Sequence, residues 1–159
     1  MDKTTLVESD IEAGLTAVKA LEAAGLPIAA AMWLRLHDSS KWQLYITSPD
    51  VETYGPTTVN RFIDRILLTI KSPISLDEVT VANTTNHFVN KISPLSVLTS
   101  GNSNTLTIAE NRLRFGNSTF DGVEVDEGVV YKITPGVKAS KEAPKPDLEA
   151  KRKARSLAA

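Results

Sequence analysis

Six large apolar residues set the first constraint on this chain. Val59, Phe62, Ile63, Ile66, Leu67 and Ile70 fall at offsets 0, 3, 4, 7, 8 and 11, and only a period of 3.6 residues gathers them on one face. Tyr54-Gly55-Pro56-Thr57 reads as the turn into this helix, with Pro56 tolerated in its first turn. Lys71 suits the negative end of the helix dipole, and Pro73 stops the helix. A helix with one apolar face must bury it, so the remaining sequence has to supply a matching surface.

The preceding residues offer that surface. Ser9-Asp10-Ile11-Glu12 has the form of a capping box, and Ile11, Leu15, Val18 and Leu21 continue at helical spacing until Gly25 and Pro27. The pattern predicts a helix over 10–24. Residues 28–37 then change to a period of two. Ile28, Ala30, Met32, Leu34 and Leu36 form the expected core face, and Ala29, Ala31, Trp33, Arg35 and His37 the face that turns polar. Asp38-Ser39-Ser40-Lys41 is turn chemistry, and Trp42, Leu44 and Ile46 alternate with Gln43, Tyr45 and Thr47. These residues predict an antiparallel hairpin.

Beyond Pro73, Val79 and Val81 suggest a short strand within 78–82. Phe88, Ile92 and Leu95 suggest a helix over 84–98 that Pro94 interrupts. Later strands are expected at 105–108, 112–115, 123–125 and 128–134, separated by Asn, Gly and Asp. Helix, hairpin, helix and then several short strands argue for an α+β fold rather than a doubly wound sheet. The expected architecture is a mainly antiparallel sheet with the two amphipathic helices packed on one face.

After Thr134-Pro135-Gly136 the composition changes. Residues 138–159 hold seven basic against three acidic residues, a net +4, while the remainder carries eleven against sixteen, a net −5. With two prolines and no aromatic residue, this stretch has little to bury. The expected organisation is one α+β domain over 1–136 and a flexible basic tail over 137–159. Within the tail, Asp147 is placed to cap a short helix over 148–157.

The chain has 159 residues and no cysteine, which excludes disulfides, thiolate metal sites and a cysteine nucleophile. No stretch of about 18 apolar residues would span a bilayer. The opening residues show no leader pattern, so a cytoplasmic location with no membrane contact is the expectation. His37 and His87 stand fifty residues apart without metal-ligand spacing, so no metal and no cofactor are expected. Neither a nucleophile elbow nor a phosphate-cradling glycine loop occurs. These absences put an enzyme behind a binding protein.

Arg112 and Arg114 share one face of an expected strand, and Arg35 joins them if its strand lies nearby. Such a group can hold a phosphate or a carboxylate. The plainer reading is cross-strand ion pairing to Glu124 or Asp126. Trp33 and Trp42 read as core rather than as a binding surface. In the tail, Lys151, Arg152, Lys153 and Arg155 are the dense basic residues, available to nucleic acid or to an acidic partner.

Ala30-Ala31-Met32-Trp33-Leu34, Trp42-Gln43-Leu44-Tyr45-Ile46-Thr47-Ser48-Pro49, Gly55-Pro56 and Glu127-Gly128-Val129-Val130-Tyr131-Lys132-Ile133 together resemble a small bacterial protein family of unassigned function. The resemblance covers 9–134 and implies a bacterial α+β domain without carrying over any active-site residue. The expected function is a non-enzymatic protein that binds another macromolecule, foremost a protein. The alternative is a nucleic-acid accessory factor using the tail and the arginine face.

Overall fold

A six-stranded mixed sheet carries the helices, with the fold class α+β and most strand pairs antiparallel. The computed structural model describes residues 6–39, 41–86, 92, 107–109, 112–120, 122–134 and 136–158. The strands are β1 (Ala30–Leu36), β2 (Trp42–Thr47), β3 (Val79–Ala82), β4 (Thr107–Ala109), β5 (Arg112–Phe120) and β6 (Val123–Ile133). Their spatial order is β3-β2-β1-β6-β5-β4. Among the described strand pairs only β2 and β3 are parallel, because helices α2 (Pro49–Tyr54) and α3 (Pro56–Thr69) carry the chain back between them. The remaining helices among the described residues are α1 (Glu8–Ala23) and α4 (Leu148–Ala158).

The apolar stripe of 59–70 is buried. Val59, Phe62, Ile63, Ile66 and Leu67 of α3 are at most 4% exposed, and Ile70 caps the helix, partly buried. Helix α1 begins two residues earlier than the capping box predicted. Val7 is the cap residue, and its N–H donates to Asp10 Oδ2 at 3.0 Å. Asp10 thus takes the part expected of Glu12, while valine has no oxygen to complete the box. At the other end Gly25 adopts φ 107°, and Leu26 N–H donates to Leu21 O at 3.0 Å, closing the helix as predicted.

Strand β1 differs from the one-sided strand expected. Every residue from Ala30 to Leu34 is buried. Ala31 and Trp33 join Trp42, Leu44, Ile46 and Val129 beneath the helices. Ala30, Met32 and Leu34 pack on the opposite face with Phe115, Phe120, Val125 and Val130. A strand at the centre of a sheet is covered on both sides, and its pattern becomes a continuous apolar run. The two strands expected at 123–125 and 128–134 are one, β6. The helix expected over 84–98 lies outside the described residues apart from 84–86 and Ile92, which packs in the second cluster.

Two bulges shape β6 where it pairs with β1. Ala31 pairs with Lys132 but Met32 with Val130, so Tyr131 is extra; Arg35 pairs with Glu127 but Leu36 with Val125, so Asp126 is extra. An extra residue re-aims its side chain. The Tyr131 hydroxyl donates to Ile11 O of α1 at 2.6 Å and lies against Gly14, where no side chain obstructs it.

The last segment departs from the flexible tail expected over 137–159. Helix α4 lies on α1, with Ala150 and Ala154 buried in the main core. Asp147 caps it as its position suggested, accepting from Ala150 N–H at 2.8 Å. Composition missed the docking because alanine adds little hydrophobic weight. Small side chains at the contact nevertheless let α4 lie close on α1. Ser140 anchors the connecting strap. Its N–H and hydroxyl donate to Asp50, and the Tyr54 hydroxyl donates to its carbonyl.

Candidate functional site

The Asp126 bulge gathers Arg35, Arg114 and His37 with the acidic residues expected to pair with the arginines. Arg35 and Arg114 converge on Glu127, with Nη2 atoms 3.3 and 3.4 Å from its two carboxylate oxygens. Arg35 Nε lies 4.0 Å from Asp126 Oδ2, and the guanidinium sits 5.8 Å from the centroid of the Trp42 ring. His37, just past β1, bonds Asp126 Oδ1 through Nδ1 at 3.0 Å and has Glu124 Oε2 3.9 Å from Nε2. The hydrogen bond to Asp126, with the charges of Asp126 and Glu124, raises the His37 pKa above its ordinary value.

Sheet geometry explains this convergence. Arg35 pairs with Glu127 across β1 and β6, and Glu127 pairs with Gly116 across β6 and β5. Gly116 has no side chain, so Arg114, two residues along the same face, reaches diagonally to Glu127. The sequence pointed to Glu124 and Asp126 as the arginines' partners. The bulge adds one residue at Asp126 and thereby gives Glu127 the main role. Across from Asp126, Asn117 holds φ 47° within β5, uncommon for a residue other than glycine. Arg35, Arg114, Gly116, Asn117, Asp126 and Glu127 line an open depression of about 630 Å³. Neither Glu127 nor Asn117 was legible as a site residue, since bulges and left-handed asparagines leave no periodic signal.

The other basic residues lie elsewhere. Arg112 is opposite Ala109 in the β4–β5 register. Lys151, Arg152, Lys153 and Arg155 are on α4. Burial of Ala150 and Ala154 turns Leu148, Lys151, Arg152 and Arg155 outward at offsets 0, 3, 4 and 7, one continuous stripe. Leu148 is 74% exposed, the most open large apolar side chain described. Lys153 pairs with Glu149 at 3.2 Å. Among the described residues, Lys151, Arg152 and Arg155 enter no ion pair.

Trp33 and Trp42 are core residues, 0% and 2% exposed. His87 lies outside the described residues. Among the described residues no group of three or more His, Asp or Glu side chains could hold a metal ion. No described helix is long and apolar enough to cross a membrane. No family model, curated protein or solved structure matches this chain, so the resemblance to a bacterial family rests on its quoted residues alone.

Proposed function

We propose that this protein is a non-enzymatic binding module whose outward face of α4 docks an acidic segment of a protein partner. One observation supports the reading above the others: α4 is held by Ala150 and Ala154, which leaves Leu148, Lys151, Arg152 and Arg155 as an ordered cationic stripe with one apolar contact point. An ordered stripe loses less conformational entropy on binding than a mobile tail would. Charge complementarity favours a short acidic segment, and Leu148 favours one that also offers an apolar side chain.

The nucleic-acid alternative needs a longer cationic track. Arg35 and Arg114 lie beside Asp126 and Glu127, two carboxylates that oppose a phosphodiester backbone. The rest of the chain, at −5 outside residues 138–159, repels a polyanion.

Fluorescence anisotropy with a labelled Glu/Asp-rich peptide carrying one leucine, and in parallel a single-stranded oligonucleotide, tests the reading. Binding of the peptide that falls at least about tenfold in the Arg152→Glu/Arg155→Glu variant supports it, a loss equivalent to about 1.4 kcal/mol. Sub-micromolar, strongly salt-dependent binding of the oligonucleotide alone would replace it with the alternative.

A further inference from the structure

We propose that the depression at the Asp126 bulge binds a carboxylate, held by Arg114 and Asn117. The site lies on the sheet, away from the α4 stripe, and does not rest on the reading of that stripe. Three irregularities meet in this one place. Strand β6 carries an extra residue at Asp126, Asn117 opposite it has φ 47°, and Arg35 Nε is buried without a hydrogen-bond acceptor. The β5–β6 register is otherwise regular on either side of Asn117. Bulges and left-handed residues gather where a sheet holds a ligand.

Donor supply favours an acidic ligand. Two guanidinium groups present about ten N–H donors. Glu127 accepts from one nitrogen of each, at 3.3 and 3.4 Å, longer than the roughly 2.7–2.9 Å of a tight charge-assisted bond. Arg114 is 42% exposed and has no other partner, and the Asn117 side chain makes no hydrogen bond among the described residues. The planar fork of Arg114 matches a carboxylate in bidentate geometry, and Asn117, which lines the same depression, offers its amide as a further donor.

Local charge sets the valence of the ligand. Arg35 and Arg114 face Asp126 and Glu127, two positive groups against two negative ones. A monoanion adds one charge to a balanced cluster, whereas a phosphate dianion adds two beside Asp126 and Glu127. The carboxylate is that of a free amino acid or of a polypeptide C-terminus, and the two sources share this chemistry.

Proton–nitrogen NMR of the full chain tests the proposal. N-acetylglycine is titrated to about 20 mM, with N-acetylglycinamide and inorganic phosphate as controls. Saturable shifts at the Arg114 Nε–H, the Asn117 side-chain amide and the Gly116 backbone are expected with N-acetylglycine alone. Arg114→Gln should weaken binding about tenfold or more, the size of a charge-assisted hydrogen bond. Glu127→Gln removes the competing carboxylate and should tighten binding severalfold, a change that misfolding does not mimic. Acetylated trialanine with a free C-terminus binding more tightly than zwitterionic alanine identifies a polypeptide end, and the reverse order a free amino acid. Equal shifts with the amide, no shift at 20 mM, tighter binding of phosphate, or unaltered affinity in Arg114→Gln would overturn the site.

Discussion

Both carboxylate oxygens of Asp50 are held by a single residue, Ser140. Oδ1 accepts from its N–H and Oδ2 from its hydroxyl, each at 2.7 Å. Asp50 has no solvent exposure, and ninety positions of sequence separate the pair. A buried carboxylate needs such partners, and Ser140 supplies them from the strap that leads to α4.

Ser140→Ala is therefore expected to loosen the strap. It leaves one buried carboxylate oxygen without its donor, a cost of about 1–3 kcal/mol. Trypsin cleavage after Lys138 and Lys141 should be slow in the native chain and at least severalfold faster in the variant. Equal rates in the two proteins would show that Ser140 does not hold the segment.

Ile66→Ala tests the main core. Ile66 has no solvent exposure and lies at the middle of the α3 stripe. Removal of a fully buried isoleucine side chain to the β-carbon costs about 2–5 kcal/mol. Urea denaturation showing a loss below about 0.5 kcal/mol would mean that α3 does not pack on the sheet.

Two glycines should resist alanine for opposite reasons. Gly14 has an ordinary helical backbone, but a Cβ there would overlap the Tyr131 hydroxyl and the Trp33 indole nitrogen. Overpacking of about 1–3 kcal/mol, with loss of the Tyr131 bond to Ile11, outweighs the roughly 1 kcal/mol gain in helix propensity. Gly25 has open space around it but φ 107°. Alanine there costs about 1–2 kcal/mol through backbone strain alone. The double variant Gly14→Ala/Tyr131→Phe should recover part of the first loss, and Gly25→Ala/Tyr131→Phe none of the second. Thermal denaturation distinguishes the two.

His37 should titrate above its ordinary 6.5, because Asp126 accepts its hydrogen bond and Glu124 adds charge. A pKa raised by folding means the charged partner stabilises the native state. That contribution is complete below the unfolded value and fades as pH rises through the folded value. NMR titration of the imidazole carbons reports the pKa directly. Asp126→Asn should lower it most and Glu124→Gln less, since Glu124 lies 3.9 Å away. An ordinary pKa in the native chain would show that the pair with Asp126 does not form.

The helices were legible in the sequence where apolar side chains repeat on one face, as Val59 to Leu67 do. The α1 cap was legible in type but not in position, because Asp10 and Glu12 are equally good acceptors on paper and packing chooses between them. Docking of α4 was hidden, since Ala150 and Ala154 weigh little in any composition. The site was half legible. Arg35 and Arg114 stood out, but their meeting at Glu127 depends on β1 pairing with β6, ninety-two positions away. A local pattern contains no such information, and the Asp126 bulge shifts the alternation that would otherwise have named the partner.

The strand order also has a consequence for how the molecule divides. β1, β2 and β3 come from one stretch of chain and β4, β5 and β6 from another, and each trio forms half of the sheet. Within the sheet, only the β1–β6 ladder joins the halves, and α4 crosses the same seam to rest on α1. A polypeptide cut between Ala82 and Thr107 would yield two pieces, each with an uninterrupted half-sheet and one member of the α1–α4 pair. Mixed in solution, such pieces have a ready-made zipper between them, and their reassembly would recover the whole sheet without the covalent link.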